Sequence, residues 1–372
     1  MVPNDEDEAK IVPTEADGWI LGHLPEGCRL CIRGMKVVYF MGGDCSNPHH
    51  CRWYCPISQK RKSPNAHFID ELFIEQSDSS DEILKKIIYE VKMVEAEGMS
   101  FTGGDPLRSP GKIDLVARLI KGLKAEFGDK FHIHLYTSGK TFDAFVAETL
   151  DQAGLDELRF HPDEEDFYRL EYAAGRKYAF GAEVPVIPGA EYKEYLLKLA
   201  DHLDMIGAEF LNLNEFEMCE PNQAELQERG YCLVSDAIAA VKGSREAADA
   251  FINEFKPRGG LSVHFCPAAL KDGIQIRNRY IRRANHIKRE FEEVSEDGTL
   301  VFLRIKGIAA EIKRLITELT KEAGIPKSMY DYDALKGIID LPAVLGEDES
   351  FIELLNDYKI EEIGRASCRE RV

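Results

Sequence analysis

The most informative segment of this chain is Asp44-Cys45-Ser46-Asn47-Pro48-His49-His50-Cys51-Arg52-Trp53-Tyr54-Cys55-Pro56. It places three cysteines, Cys45, Cys51 and Cys55, in a loop just behind the short apolar run 36–41. Such a run is typical of a buried strand, so the cysteines are predicted to lie at the end of that strand. Thiols grouped in this way point to a metal site.

The number of thiols limits which metal group fits. Three thiolates are one fewer than the usual all-cysteine set of an iron-sulfur cube. A cluster held by Cys45, Cys51 and Cys55 would keep one iron free for another ligand, which indicates a catalyst. The residues alone leave a zinc site or buried thiols open as alternatives.

Composition narrows the class of protein. The chain has 372 residues, 44% of them hydrophobic, enough for one large core and a smaller unit. We find no run of roughly 20 apolar residues and no secretory signal, so we expect a cytoplasmic protein without a membrane span. Its nine cysteines are then better explained as metal ligands than as disulfides. The formal charge of -19 disfavours a protein coated in nucleic acid but leaves a local basic groove open.

Beyond residue 36, short apolar runs alternate with amphipathic stretches, which predicts strand-helix units around a parallel sheet. Six units are too few for a complete eight-stranded barrel, so the expected fold class is α/β, a partial (β/α)6 barrel of the TIM type. The predicted strands are 36–41, 99–102, 131–136, 155–161, 183–187 and 210–214, with 261–265 as a seventh candidate. The predicted helices include 81–97, 113–127, 141–153 and 191–206.

Polar and glycine-containing turns follow these strands. In barrels of this kind the chemistry lies where strands end and loops begin. We therefore expect one functional rim, formed by Gly103-Gly104-Asp105-Pro106, Thr137-Ser138-Gly139, His161-Pro162, Pro188-Gly189 and Asn214-Glu215.

The chain is predicted to have four parts. Residues 1–35 form an N-terminal extension with a C-x2-C knuckle, and residues 36–290 form the barrel. Residues 291–361 form a small α+β domain, beginning with a strand at 299–305 and a helix at 309–323. Residues 362–372 look like the translation of a sequencing-adapter oligonucleotide and are set aside.

With these turns in view, residues 36–290 resemble the radical S-adenosylmethionine (SAM) superfamily. Its first strand is followed by three cysteines, usually spaced C-x3-C-x2-C with an aromatic residue before the last; here the spacing is C-x5-C-x3-C with Tyr54. The resemblance implies that Cys45, Cys51 and Cys55 hold a 4Fe-4S cluster whose fourth iron binds SAM. It also implies reductive cleavage of SAM to a 5'-deoxyadenosyl radical that abstracts hydrogen, an external one-electron donor such as ferredoxin or flavodoxin, and oxygen sensitivity.

The same resemblance implies which residues contact SAM. Gly103-Gly104-Asp105-Pro106 matches the superfamily's Gly-Gly-Glu-Pro element, and glycine permits close approach to the main chain. Tyr54, Ser138, Arg159 and His161 are the other expected contacts. Taken alone, the turn could be only a turn and His161 a core residue. Asn212, Asn214 and Glu215 could contact substrate or be polar groups of the barrel floor.

A second metal site is predicted upstream of the first strand. Cys28 and Cys31 form a C-x2-C knuckle, a spacing that lets both thiolates face one metal. Together with His264 and Cys266 they could hold zinc or an auxiliary iron-sulfur cluster; the alternative is a knuckle of reduced thiols. Cys219 and Cys232 lack a spacing partner and are expected in the core.

The knuckle, the cysteine loop and the segment 264–279 resemble one archaeal subgroup, related to pyruvate formate-lyase activating enzymes, for which no substrate is assigned. We expect a protein or small-molecule substrate and name no catalytic side chain. The arginine-rich stretch 271–289 leaves RNA modification open. A non-catalytic zinc or iron-sulfur protein is the alternative from another class.

Overall fold

The computed structural model describes residues 10–45, 50–321 and 323–368. The chain forms two compact units, Met1–Lys92 with Ala96–Gln275, and Met93–Glu95 with Ile276–Val372. The sequence predicted the boundary at residue 290, after the helix Arg277–Ile287, but that helix belongs to the second unit. The reason is packing, because Ala284 of this helix forms a buried cluster with Leu300.

The first unit is built around one mixed sheet. Its strand order is β1-β2-β11-β10-β9-β8-β7-β6-β3-β4-β5, and the seven strands from β11 to β3 are parallel, while both edges are antiparallel. The predicted strands are confirmed, including the seventh. The bounds are β1 (Ile11–Pro13), β2 (Trp19–Leu21), β3 (Lys36–Met41), β4 (His67–Ile69), β5 (Leu72–Ile74), β6 (Gly98–Thr102), β7 (His132–Thr137), β8 (Glu157–Phe160), β9 (Ala179–Val186), β10 (Phe210–Glu215) and β11 (Ser262–Cys266).

The helices of this unit begin and end at residues suited to helix termini. Asp143 accepts a hydrogen bond from the amide of Val146 at 2.9 Å and starts one helix, which ends at Gly154 with φ 91°. Pro110 opens another. The bounds are α1 (Glu26–Ile32), α2 (Ser80–Met93), α3 (Pro110–Phe127), α4 (Ala144–Ala153), α5 (Ala190–Met205), α6 (Gln223–Glu228), α7 (Ser244–Glu254) and α8 (Ala268–Leu270).

The two faces of the parallel sheet differ in polarity. On β8, Leu158 and Phe160 alternate with Glu157 and Arg159, and all four are buried. Alternation along a strand places the apolar pair on one face and the charged pair on the other. The order of the described strands ends at β1 and β5 without joining, so the sheet is a partial barrel.

The second unit has its own sheet and core. Its strand order is β12-β13-β15-β14, with β16 paired to β13, and its buried cluster includes Leu303, Ile305 and Ile312. Residues 362–368 of the predicted adapter-derived segment form part of β16, and the rest of that segment lies outside the described residues. An extended segment can pair with any open sheet edge, so the origin of the segment stays a prediction. The bounds are α9 (Arg277–Ile287), β12 (Glu293–Val294), β13 (Leu300–Gly307), α10 (Ala309–Lys321), β14 (Asp331–Asp333), β15 (Ile338–Leu341), α11 (Glu349–Leu355) and β16 (Ile360–Cys368).

The length and polarity of the helices decide whether one of them could cross a membrane. Across the described ranges, each helix is too short or too polar to cross a bilayer.

Candidate active site

The cysteine loop follows β3, as predicted. Residues 46–49, within the loop, lie outside the described residues. The three cysteines line one cavity of about 590 Å³. Its other lining residues are Gly43, Asp44, Arg52, Ile57, Gln59, Lys62 and Arg108. Arg108 is ion-paired with Asp44 of the same wall at 2.9 Å, so Arg52 and Lys62 are the basic side chains that make the wall attractive to an anion.

The three thiols of the loop lie near one another. The thiols of Cys45 and Cys55 are close enough to Cys51 to raise the pKa of its thiol. Among the described residues, the three sulfurs are not all within 4.8 Å of one another. That the trio holds a 4Fe-4S cluster stays a prediction. Burial raises the pKa of Cys45 to about 11, and bound metal must displace the proton.

The Gly103-Gly104-Asp105-Pro106 turn lies directly against this loop. The amide of Gly104 donates to the carbonyl of Gly42 at 2.6 Å, and that of Asp105 donates to the carbonyl of Asp44 at 3.0 Å. A Cβ on Gly104 would lie 2.0 Å from the carbonyl oxygen of Asp44. Gly103 has φ 142°, and the two glycines are therefore required by backbone contact.

The carboxylate of Asp105 joins the ends of β6 and β7. It is fully buried and accepts hydrogen bonds from Thr137 Oγ1 at 3.0 Å and Ser138 Oγ at 2.5 Å. The amides of Leu107 and Ser138 also donate to it, at 3.0 and 3.1 Å. The hydroxyl of Ser138, predicted to contact SAM, is thus directed to Asp105.

Tyr54 and His161 meet beside the loop. The phenol of Tyr54 lies 2.9 Å from Nε2 of His161. Burial raises the pKa of Tyr54, so the phenol stays protonated. The pair lines a mostly aromatic and aliphatic cavity of about 350 Å³. Its remaining walls are Trp53, Asp163, Glu164, Val184, Pro185, Ile187, Glu191, Tyr192, Tyr195 and Leu196.

Arg159 lies in a buried ion-pair network. Its guanidinium donates to Glu157 Oε1 and Glu183 Oε2, both at 2.5 Å, and to Cys28 Sγ at 3.4 Å. Burial alone would raise the pKa of the two carboxyls, but Arg159 lowers it to about 2 for each. A contact between Arg159 and SAM stays a prediction.

The polar residues of β10 also make hydrogen bonds within the protein. The side-chain amides of Asn212 and Asn214 donate to Glu183, at 3.3 and 3.0 Å. Glu215 accepts from the amide of Ala268 at 2.9 Å. These contacts place all three in a polar network of the sheet, and a role in binding substrate stays a prediction.

Two other predictions from the sequence disagree with the structure. Cys219 and Cys232 were predicted to be core residues, which is wrong: Cys219 is half-buried and Cys232 is exposed. The reason is that both lie on the irregular segment between β10 and α7, which runs along the surface.

One group of side chains that could hold a metal ion was not predicted from the sequence. Ligand atoms of His132, His134 and Glu157 lie within 4.8 Å of one another. Two histidines alternating on a predicted strand are the signal that could have found them.

Known proteins resemble this chain in sequence. A family model described as a 4Fe-4S single cluster domain matches residues 27–160. The "Putative glycyl-radical enzyme activating enzyme MJ0021" of Methanocaldococcus jannaschii is 39% identical over 290 residues, 75% of this chain and 72% of that protein.

Two solved structures share a more distant likeness. SuiB of Streptococcus suis, bound to SAM, is 10% identical with a TM-score of 0.42, over 63% of this chain and 50% of SuiB. HemN of Escherichia coli, a coproporphyrinogen III oxidase described as a radical SAM enzyme, is 11% identical with a TM-score of 0.33, over 86% and 90%.

The identity to the archaeal relative is high enough, over enough of both chains, to assign a family. This chain belongs to the radical SAM superfamily, in the family of that relative, and is an enzyme whose cofactors are a 4Fe-4S cluster and SAM.

Proposed function

We propose that this enzyme generates a 5'-deoxyadenosyl radical and uses it to abstract hydrogen from a partner protein, with Cys45, Cys51 and Cys55 as the cluster ligands. The observation that carries the proposal is the pair of backbone hydrogen bonds from Gly104 and Asp105 to the cysteine loop. They hold the glycine turn beside the cavity that the three thiols line. When bound, the cluster supplies the electron that cleaves the sulfonium of SAM.

The chain's own residues would bind and orient SAM. Arg52 and Lys62 give the cavity of the cysteines a basic wall that suits a carboxylate. Asp105 fixes the turn through its buried hydrogen bonds. The aromatic cavity of Tyr54 and His161 suits a flat ring.

A protein substrate is supported by the name of the archaeal relative, an activating enzyme for a glycyl-radical enzyme. We therefore infer that the hydrogen is taken from a glycine Cα of a partner protein. An external donor such as ferredoxin or flavodoxin would supply the electron. We also infer a reducing, cytoplasmic location, because the eight described cysteines are free thiols.

The experiment is anaerobic reconstitution with iron and sulfide, followed by SAM and dithionite and measurement of 5'-deoxyadenosine. Wild type should form it, and Cys51→Ala should not. Cys232→Ala, at an exposed thiol, is the matched control and should retain full activity. Product formation by Cys51→Ala would refute the ligand assignment.

The substrate class needs a separate measurement. The reduced enzyme and SAM are mixed with the protein fraction or the low-mass fraction of a source-cell extract. A glycyl-radical doublet in the electron paramagnetic resonance spectrum, seen only with the protein fraction, supports the proposal. Turnover of SAM stimulated only by the low-mass fraction would contradict it.

A further inference from the structure

The two cysteines of the N-terminal knuckle lie near a cysteine at the end of β11. Cys28 and Cys31 are three residues apart on α1, so their side chains lie on one face of the helix. Cys266 is the last residue of β11. The thiols of Cys28 and Cys31 lie close enough to Cys266 to raise the pKa of its thiol. All three are free thiols, so the convergence is not a disulfide.

The strand register independently places His264 beside them. Asn212 of β10 pairs with His264, and Asn214 pairs with Cys266. Paired side chains on neighbouring parallel strands lie on the same face of the sheet. Asn212 Nδ2 donates to Cys28 Sγ at 3.3 Å. Cys28 therefore lies against the face that carries both His264 and Cys266.

His264 has an unexplained buried nitrogen. Its side chain is 2% exposed, and Nδ1 has no hydrogen-bond partner among the described residues. Buried polar atoms without a partner are rare, and an ion is one of the few explanations for them. Because His264 and Cys266 alternate along β11, both face the interior that Cys28 enters.

Two hydrogen-bond donors reach the sulfur of Cys28, although burial raises the pKa of this thiol to about 12. Arg159 Nη2 and Asn212 Nδ2 both donate to its Sγ, at 3.4 and 3.3 Å. Donors on a ligating sulfur are typical of the hydrogen bonds that surround metal centres. Zinc with three thiolates and a neutral imidazole has a net charge of about -1. Arg159 and Lys271 lie near the sulfurs, but Arg159 is also paired with Glu157 and Glu183, and Lys271 with Glu217, so they offset this charge only in part.

We propose that Cys28, Cys31, His264 and Cys266 bind one zinc ion. With four protein ligands the site is closed, so its role is to fasten α1 to β11 rather than to bind substrate. No three of these ligand atoms lie within 4.8 Å of one another in the described chain. Binding one ion therefore requires side chains of these four residues to turn toward a common point. The proposal does not depend on the proposed function.

The test uses the full chain with Cys45, Cys51 and Cys55 changed to alanine, so that the SAM-binding cluster contributes no metal. Elemental analysis should find about one zinc per chain. Cobalt exchange should give the visible bands of a tetrahedral ion and thiolate-to-cobalt charge transfer. Adding Cys31→Ser or Cys266→Ser should lower bound zinc at least about tenfold. Cys232→Ser, at an exposed thiol, should retain it.

Other results would overturn the proposal. Zinc that remains in Cys266→Ser, or that is lost only in His134→Ala, would place the ion elsewhere, in the second case at His132, His134 and Glu157. Iron and sulfide in the triple variant would mean an auxiliary cluster instead of zinc. A chain without bound metal would remove the site.

A folding defect in the serine variants must not hide the answer. Cys266→His offers a nitrogen ligand at the same place and should keep zinc with weaker affinity. In the folded triple variant itself, a mercurial that modifies thiols should release zinc in step with cysteine modification. Zinc that stays bound after modification would contradict the thiolate ligands.

Discussion

The phenol of Tyr54 and Nε2 of His161 are 2.9 Å apart, which joins the cysteine loop to the end of β8. The main chain of Tyr54 is held as well, because its carbonyl accepts from the side-chain amide of Asn222 at 2.9 Å. The ring also packs edge-on against Phe216, with centroids 5.8 Å apart. The aromatic residue of the loop is therefore fixed by contacts of the protein itself.

Tyr54→Phe removes the hydrogen bond to His161 and keeps the ring. We expect stability to fall by about 1 kcal/mol, the typical net value of such a bond. SAM binding should weaken about fivefold, as follows from the same free energy. Equilibrium dialysis and urea unfolding measure the two effects. Tyr168→Phe, at a tyrosine that is 50% exposed, should change neither; unaltered binding and stability in Tyr54→Phe would contradict the role given to the contact.

Gly104→Ala tests the contact between the glycine turn and the cysteine loop. The new Cβ would lie 2.0 Å from the carbonyl oxygen of Asp44, so one backbone segment must move. We expect less iron bound after reconstitution and less 5'-deoxyadenosine formed. Gly111→Ala is the matched control, because no atom lies within 4 Å of its added Cβ. Equal iron content in the two variants would disprove the contact.

The parallel strands could be predicted from the sequence because each is a short apolar run bounded by turn residues. The run 36–41 and β3 have the same bounds. The run 183–187 was placed too late, since β9 begins at Ala179. The start of β9 was not recognised because it contains small residues. Gly181 is needed there, since a Cβ would lie 2.0 Å from the carbonyl oxygen of Phe210.

The polar network of the interior could be predicted only in part. The run 155–161 predicted the strand that carries Arg159, but alternation along a strand does not say which carboxylate the side chain meets. Glu183 comes from the next strand and Cys28 from a helix before the barrel, so both contacts depend on packing between distant segments. The three-residue strands β4 and β5 were missed because so short a run has no readable period.

Asp105→Ala removes the acceptor that joins β6 to β7. Two hydroxyls and two amides would lose their partner inside the protein. Because unpaired buried donors are costly, we expect a loss of roughly 2 to 4 kcal/mol in stability and little SAM cleavage. Asp114→Ala, on the exposed side of α3, should stay within about 0.5 kcal/mol of wild type. A similar small loss in Asp105→Ala would mean that the four donors find other partners.

Acid should weaken the ion pairs of Arg159. In the folded protein the pKa of Glu183 is about 2, because Arg159 outweighs the effect of burial. In the unfolded chain the pKa of a glutamate is about 4.3. A carboxyl with a lowered pKa stabilises the fold fully above about pH 4.3, and this stabilisation is lost as the pH falls toward 2. Its size is on the order of 3 kcal/mol.

Glu183→Gln should therefore unfold more easily than wild type at pH 7, and the difference should shrink steadily between about pH 4.3 and pH 2. Urea unfolding at a series of pH values measures it. Glu246→Gln, at an exposed glutamate of α7, should show the same pH dependence as wild type. If Glu183→Gln also loses stability in acid as steeply as wild type, the carboxylate is not held in its charged form by Arg159. In that case the charge of Glu183 would depend on other ionisable groups around it as well as on Arg159.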